Sequence, residues 1–378
     1  MVDPRAGGFM PRTLLLLALL CSGCESLFTT WDERESFPIL AVDGATQPTT
    51  PNPLRLRVMT WNIKYGAGRA NFWFDMWGDR TEMPLAEVEE NMQGLYDLIG
   101  EVDPDILVTE EIEINSRRSA YYDMVMGILE NTDLQWAAYV PTWQSRYVPT
   151  EGLGRVNMGN CIFSKFRIIG NERIAQVDRT DQDFLTASFY LHRAVGRAEI
   201  EVGNDLVTVF SAHTEAYDRD RTNHKQQQQI LELMREERNP FVMAGDLNAL
   251  PPGSIKTEKF NDEAPASIGT EFEQPPYDPT DLQPFYDDYL EAIDLARYGT
   301  SEAEQSRYYT HSVIGADQMG ANNEPGFWNR RLDYMFTAAP QGWTATDVLQ
   351  QPGDAGIISV PMDLSDHCPV IGTWEIQP

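Results

Sequence analysis

The stretch FVMAGDLN, residues 241–248, consists of four apolar residues followed directly by a polar segment. A short apolar run of this kind is typical of a buried strand, and Asp246 and Asn248 follow at its end. If the strand continues through them, its period of two puts both side chains on one face, where they can share a site. An Asp after a strand is also typical of a turn or a helix cap, so this stretch alone leaves both interpretations open.

Strand and helix patterns alternate on both sides of this stretch. Residues 54–61 alternate at period two, as a half-buried strand does. Further short apolar runs predict strands at residues 106–108, 161–163 and 206–212. Apolar spacings of three and four predict a helix over residues 85–99, and a second helix is expected over residues 222–237, ending before Asn239-Pro240. The alternation predicts an α/β fold.

The composition is that of a globular protein with a strong excess of acidic residues. The 378 residues are 42% hydrophobic, which is enough for a sizeable core. A formal charge of −29 argues against an extended basic surface that holds nucleic-acid backbones. A bound divalent cation can invert the local field, so an anionic substrate would depend on such a cation.

The first residues are typical of an export signal. Arg5 and Arg12 precede an apolar run at residues 14–20, and small residues lead to Cys24. This end resembles a bacterial lipoprotein signal, so we predict removal of residues 1–23 and a lipid on Cys24. The protein would then be exported and anchored to a membrane, on the periplasmic or cell-surface side. Secretion with an ordinary signal peptide is the alternative.

Two further segments and two cysteines lie outside these patterns. Residues 24–53 end in a Pro- and Thr-rich stretch and are predicted to be a flexible tether, so we expect the folded domain over residues 54–378. Residues 255–285 form an acidic insertion, either a lid or a surface excursion, and we favour the surface excursion. Cys161 and Cys368 either form a disulfide or are two small buried side chains, and we favour the second.

Polar side chains recur where the predicted strands end. Asn62 follows the first strand, and Glu110 and Glu111 follow the apolar run at residues 106–108. Adjacent strand residues face opposite ways, so only one of the two glutamates can be a ligand. Carboxylates with Asn, few His and no Cys pair suit Mg²⁺ or Mn²⁺ better than zinc.

These polar positions follow a recognisable order along the chain. They are Trp61-Asn62, Glu111, Gly159-Asn160, His213, Gly245-Asp246-Leu247-Asn248, Arg331-Leu332-Asp333-Tyr334 and Ser365-Asp366-His367. The series resembles the endonuclease/exonuclease/phosphatase superfamily, which includes deoxyribonucleases, abasic-site endonucleases, inositol polyphosphate 5-phosphatases and neutral sphingomyelinases. The resemblance runs from about Leu54 to Trp374. It implies a four-layer α/β/β/α sandwich, with two mixed sheets packed face to face, helices outside and a site at one edge.

The resemblance implies a metal site. Glu111 would be the principal ligand of Mg²⁺ or Mn²⁺, with Asn62 beside it at the metal or phosphate and Asp366 near the metal. Two positions depart from the family pattern. Glu110 stands where Gln is common, and Lys64 stands where nuclease branches carry an acid. Lys64 is expected either to meet a substrate phosphate or to be a solvated lysine.

The resemblance also implies catalytic roles. Asp246 would orient or deprotonate the attacking water, and Asn248 would hold a phosphate oxygen or that water. Asp333 and His367 would form an acid–imidazole pair, and His213 would contact phosphate and assist the leaving group. His311 has no motif support and is expected to be an ordinary hydrogen-bonded histidine.

The resulting prediction is an exported, metal-dependent phosphoester hydrolase. Its expected substrate is a phospholipid head group or a small phosphoester, and no protein partner is implied. A secreted endonuclease is the alternative, and a non-catalytic binding protein on the same scaffold is a remote one. An aromatic cluster after Asn62 is expected either to stack on a base, lipid or inositol ring or to be a packed surface cluster. Its members are Tyr65, Phe72, Trp73, Phe74 and Trp77.

Overall fold

The protein is described by a computed structural model over residues 30–217, 219–270 and 272–376. The strands, in chain order, are β1 Arg34–Ser36, β2 Ile39–Ala41, β3 Arg55–Asn62, β4 Ile106–Glu113, β5 Trp136–Val148, β6 Gly154–Ser164, β7 Arg167–Ala175, β8 Ala194–Val202, β9 Asp205–His213, β10 Phe241–Asp246, β11 Leu290–Glu291, β12 Asp333–Thr337, β13 Trp343–Val348 and β14 Val370–Glu375. The helices are α1 Leu85–Val102, α2 Met124–Asn131, α3 Phe184–Phe189, α4 Thr222–Glu236, α5 Gln283–Asp288, α6 Leu295–Tyr298, α7 Glu302–Gln305 and α8 Pro361–Leu364.

The strands form two seven-stranded mixed sheets. The first has the order β1-β7-β8-β9-β10-β12-β11, and the second has the order β13-β14-β3-β4-β6-β5-β2. The main hydrophobic cluster contains Val58 and Val108 of the second sheet and Val209 and Ala244 of the first, so it lies between the sheets. The predicted two-sheet α/β sandwich is therefore confirmed.

Helices cover the outer face of each sheet. Apolar residues of α1 and α2 pack on the second sheet, where they meet side chains such as Met59 and Trp61 of β3. Residues of α4 and α5 pack on the first sheet around Phe210 and Phe336. This cover explains why β3 is buried on both faces from Val58 onward, whereas the sequence predicted a half-buried strand.

The N-terminal segment differs from the expected tether. β1 pairs with β7, and β2 pairs with β5, so residues 34–41 contribute an outer strand to each sheet. The prediction of a flexible tether is therefore wrong for these residues. The physical reason is that β7 and β5 would otherwise leave unpaired backbone groups along two sheet edges. The predicted signal over residues 1–23 and the lipid site at Cys24 lie outside the described residues.

Two further expectations are settled by packing. Cys161 and Cys368 are both buried and free, so they do not form the disulfide that the sequence allowed. The acidic insertion is not a simple surface excursion. Asp262 is buried against Arg330 at 2.8 Å, and Phe272 lines the same pocket as Asp246 and His367. No helix within the described part of the chain is long and apolar enough to cross a membrane.

Candidate active site

Strand ends from both sheets meet at one edge of the sandwich. Asn62 ends β3 beside Glu110 of the parallel strand β4. His213 ends β9 beside Asp246 at the end of β10, and Asp246 also pairs with Asp333 at the start of β12. The two sheets pack face to face, so these side chains come together although they lie up to 271 residues apart in the chain (333 − 62).

His367 sits between two carboxylates. Its Nδ1 lies 2.8 Å from Asp333 Oδ2, and its Nε2 lies 3.5 Å from Asp246 Oδ2. Burial lowers the pKa of His367, but the two carboxylates outweigh it and raise the pKa to about 10. The ring is therefore a cation at neutral pH. Trp61 Nε1 donates to the His367 carbonyl at 2.9 Å and fixes this segment against β3.

Asp246 faces several polar groups through one oxygen. Its Oδ2 lies 3.2 Å from Asn62 Nδ2 and 3.4 Å from His213 Nε2. Burial and the charge of Asp333 raise the pKa of Asp246 to about 7, although His367 opposes them. The pKa of His213 is lowered well below its usual value, by burial and then by Arg193, so this ring is neutral. A neutral His213 can donate a hydrogen bond but carries no extra proton for a leaving group.

Asn248 reaches the pocket by a turn rather than by a strand. β10 ends at Asp246, and Asn248 has a φ of 42°. Its N–H donates to Asp246 Oδ1 at 2.9 Å, which is the turn that the short side chain of Asp favours. Of the two interpretations that the sequence left open, the turn is therefore the one observed at Asn248, and both side chains line the same pocket.

The two adjacent glutamates of β4 occupy different environments. The pairing of β4 with β6 is irregular between Thr109 and Ile112, and Glu111 has a φ of 56°. Glu111 lines the pocket, with its Oε1 3.4 Å from Asn62 Nδ2. Glu110 is fully buried, and within the described part of the chain neither of its carboxyl oxygens has a hydrogen-bond partner. Burial and then Asp333 raise its pKa well above the usual range, so Glu110 is a neutral acid.

Asp366 and Lys64 form an ion pair. Lys64 Nζ lies 3.5 Å from Asp366 Oδ2 and 2.9 Å from Asp75 Oδ2. Lys64 is only 1% exposed, so the expectation of a solvated lysine is wrong. Asp366, which was predicted to lie near a metal, lines the pocket, and its carboxylate faces the ammonium group of Lys64. Lys64 thus already neutralises part of the negative charge of Asp366 and Asp75.

The donor set fits a hard divalent cation. Burial and then Asp366 raise the pKa of Glu111, as burial and Asp333 do for Asp246. Crowded buried carboxylates are costly without a counter-charge, and a cation among them removes that cost. Asp246, Asp333 and His367 also offer ligand atoms within 4.8 Å of one another, although His367 and Asp333 already bind each other. Glu111, with the neighbouring Asn62, is therefore the residue best placed to hold a divalent cation.

Two pocket residues were missed by sequence reasoning. Arg193, 6% exposed, has no hydrogen-bond partner for Nε or Nη1 among the residues that the structure describes, and its Nε lies 4.0 Å from Glu215 Oε2. His311 packs edge-on against His367 with ring centroids 4.5 Å apart, and its Nδ1 has no hydrogen-bond partner among the described residues. The same Nδ1 lies 3.8 Å from Asp262 Oδ2, so the ring lies between the pocket and a buried carboxylate. Neither residue belongs to a motif, so only the tertiary structure could reveal them.

Comparison with known proteins agrees with this geometry. A sequence profile of the Endonuclease/Exonuclease/phosphatase family matches residues 59–367. The chain belongs to this family. Members of the endonuclease/exonuclease/phosphatase family hydrolyse phosphoester bonds, typically with a divalent metal ion. No curated protein matches the chain.

Several solved structures are similar to this chain. The endonuclease/exonuclease/phosphatase from Beutenbergia cavernae is 17% identical, with a TM-score of 0.51 over 85% of this chain and 72% of that one. A family member from Bacteroides vulgatus is 13% identical, with a TM-score of 0.49 over 85% and 99% of the two chains. D. rerio TDP2, solved with a single-strand DNA product, is 14% identical with a TM-score of 0.47 over 84% and 98%.

Proposed function

We propose that this protein is a divalent-cation-dependent hydrolase that cleaves a phospholipid head group or a small phosphoester. The observation that carries the proposal is the position of Asp246 beside the cationic ring of His367. The pKa of Asp246 is raised to about 7. A base with a pKa near 7 is suited to taking a proton from water at neutral pH. A fixed cation 3.5 Å away is suited to holding the oxygen on which negative charge develops.

Each polar residue then has a role in the hydrolysis. Asp246 accepts a proton from the attacking water, and the Asn248 N–H holds its other oxygen at 2.9 Å. Asp333 keeps the proton on Nδ1 of His367, so that Nε2–H faces a phosphate oxygen. Arg193, with two unpartnered nitrogens, can hold a second phosphate oxygen. A divalent cation held by Glu111 and Asn62 would supply Lewis-acid stabilisation of the phosphate.

A side-by-side assay tests the activity. Purified protein with Mg²⁺ should hydrolyse bis-p-nitrophenyl phosphate or sphingomyelin, and excess EDTA should abolish turnover until Mg²⁺ is restored. Asp246→Asn should lower kcat by about 10²-fold or more. Asp97→Asn, an exposed change on α1, is the control and should leave kcat unchanged. Preferred cleavage of plasmid DNA would favour the endonuclease alternative, and turnover that survives EDTA would contradict the metal requirement.

We also propose that the protein is exported and anchored through a lipid on Cys24. The support is the sequence alone, with Arg5 and Arg12 before an apolar run and small residues before Cys24. Cys24→Ser should move the protein from the membrane fraction to the soluble fraction in a bacterial expression host. Cys21→Ser lies in the segment predicted to be removed, so the membrane fraction should keep that variant. Equal fractionation of the two variants would contradict the anchor.

A further inference from the structure

The pocket that contains Asp246 and His367 has a large apolar side. It has a volume of about 450 Å³ and is lined by both polar and apolar side chains. We call the following six residues the apolar wall: Trp73, Trp143, Leu153, Met158, Leu185 and Phe272. They come from the turn after β3, the β5–β6 hairpin, α3 and the acidic insertion. An apolar lining from four separate segments, continuous with catalytic groups, is typical of a ligand pocket.

Contacts between these segments hold the wall together. The rings of Trp73 and Phe272 meet edge to face, with centroids 6.0 Å apart, which joins the turn after β3 to the insertion. Leu153 and Met158 belong to a small hydrophobic cluster of the β5–β6 hairpin, and Trp143 packs against it. Trp143 Nε1 donates to the Phe189 carbonyl at 2.8 Å and joins the hairpin to α3. The wall is thus preformed.

The basic side chains of the pocket lie near carboxylates of the protein, so they can neutralise little further anionic charge. Lys64 is 2.9 Å from Asp75, Arg118 is 2.8 Å from Glu113, and Arg193 is 4.0 Å from Glu215. Arg193 has two buried nitrogens, Nε and Nη1, without a hydrogen-bond partner among the described residues. One phosphate can therefore be neutralised at the catalytic groups. The further phosphates of a polyanion would lie against carboxylates or the apolar wall.

The rim of the pocket also exposes apolar surface. Leu185 is 67% exposed and lines the pocket, and its neighbour Phe184 is 80% exposed. Large exposed apolar side chains beside an apolar pocket are the kind of surface that a ligand covers.

We infer that this pocket selects a phosphodiester in which one ester group is a hydrophobic alkyl chain. The phosphate lies at Asp246 and His367, and the chain lies against the apolar wall. The inference rests on the proposed phosphoester hydrolysis and specifies its substrate. In the reaction, water oxygen bonds to phosphorus and Asp246 takes the proton. The bond from phosphorus to the leaving oxygen breaks, the leaving oxygen departs with the bonding electron pair, and Asp246 then returns its proton to that oxygen or to solvent.

A series of p-nitrophenyl alkyl phosphodiesters tests the inference. The methyl, butyl and octyl esters share one leaving group, so differences in rate report the alkyl chain. Below micelle-forming concentrations and with saturating Mg²⁺, kcat/KM should rise at least about tenfold from methyl to octyl, since each buried methylene contributes severalfold. The rise in kcat/KM should come mainly from a lower KM.

Variants locate the effect. Leu185→Ala and Phe272→Ala should each lower the octyl-to-methyl ratio of kcat/KM by about fivefold. Ile358→Ala, at an aliphatic residue that is 81% exposed and does not line the pocket, should keep the wild-type ratio.

The outcomes separate the two proposals. Hydrolysis of the methyl ester without dependence on chain length would overturn the apolar-chain inference and leave the proposed function standing. Absence of hydrolysis with every ester would overturn the proposed function itself. A higher kcat/KM for an oligonucleotide than for the octyl ester would replace the alkyl substrate with a nucleic acid.

Discussion

Asp333 and His367 are joined by a contact of 2.8 Å that keeps a positive charge on the ring. Asp333→Asn removes the negative charge that raises the pKa of His367, while the amide oxygen can still accept from Nδ1. The active ring is protonated, so kcat/KM should fall as pH rises through the pKa of His367. We expect this alkaline limb near pH 10 in the wild type and at lower pH in Asp333→Asn. A pH profile of kcat/KM for each protein measures its alkaline limb, and coincident profiles would contradict the role of Asp333.

Glu111 and Glu110 allow a matched comparison on adjacent residues. Glu111 faces the pocket and Asn62, whereas Glu110 is buried away from the pocket lining. Glu111→Gln should raise the Mg²⁺ concentration for half-maximal activity by about tenfold or more, because a hard cation loses an anionic oxygen. Glu110→Gln should leave that concentration unchanged. If Glu110→Gln alone changed the Mg²⁺ titration, the assignment of Glu111 to the cation would be wrong.

Glu110 should also control how stability depends on pH. Its pKa is raised by burial and by Asp333, so the folded state holds a proton that the unfolded state releases above its ordinary pKa. This residue therefore lowers the free energy of unfolding as pH rises from that ordinary value towards the folded pKa. Glu110→Gln removes the proton release. Its Tm should exceed the wild-type Tm at pH 8 and match it at pH 4; equal Tm values at pH 8 would contradict a neutral Glu110.

The residue-level limits of sequence reasoning have a physical cause. Asn62 and Asp246 could be proposed because they follow apolar strands, and His367 could be proposed because it belongs to the ordered series of motifs. Arg193 and His311 could not, because their importance depends on missing hydrogen-bond partners and on a ring contact, neither of which a local pattern contains.

At the scale of elements, the strands and helices with clear periodicity were predictable. The helix expected over residues 85–99 extends to Val102, and the one over residues 222–237 ends at Glu236. The edge strands β1 and β2 have only three residues each and no usable period, so pairing with β7 and β5 defines them. The irregular pairing that redirects Glu111 was equally hidden, because it depends on the register between β4 and β6.

Two glycines should respond oppositely to the same change. Gly245 in β10 has a φ of 142°, and a Cβ there would lie 1.9 Å from the Ala212 carbonyl oxygen. Gly245→Ala should lower the free energy of unfolding by about 3 kcal/mol or more. Gly100 is an exposed residue of α1 with no atom within 4 Å of such a Cβ, so Gly100→Ala should raise it by about 0.5–1 kcal/mol. Urea unfolding measures both, and destabilisation of equal size would contradict the close approach of β9 and β10.

At the scale of the whole molecule, the two-sheet sandwich depends on an N-terminal segment that the sequence did not assign to it. A chain that begins at Leu54 lacks β1 and β2 and exposes the backbone of β7 and β5. Open edges of this kind pair with other chains. The chain from Leu54 should elute at a larger apparent mass in size-exclusion chromatography than a chain from Thr30. Identical elution volumes would show that the two short strands do not protect these edges.

The position of β1 also determines how far an anchored molecule can travel. If residues 24–53 were all free, they would form a tether of about 100 Å at full extension between a lipid on Cys24 and the sandwich. Because β1 begins at Arg34, residues 24–33 can span at most about 35 Å. With the proposed anchor, the edge strand β1 would therefore start within about 35 Å of the membrane surface that holds the lipid.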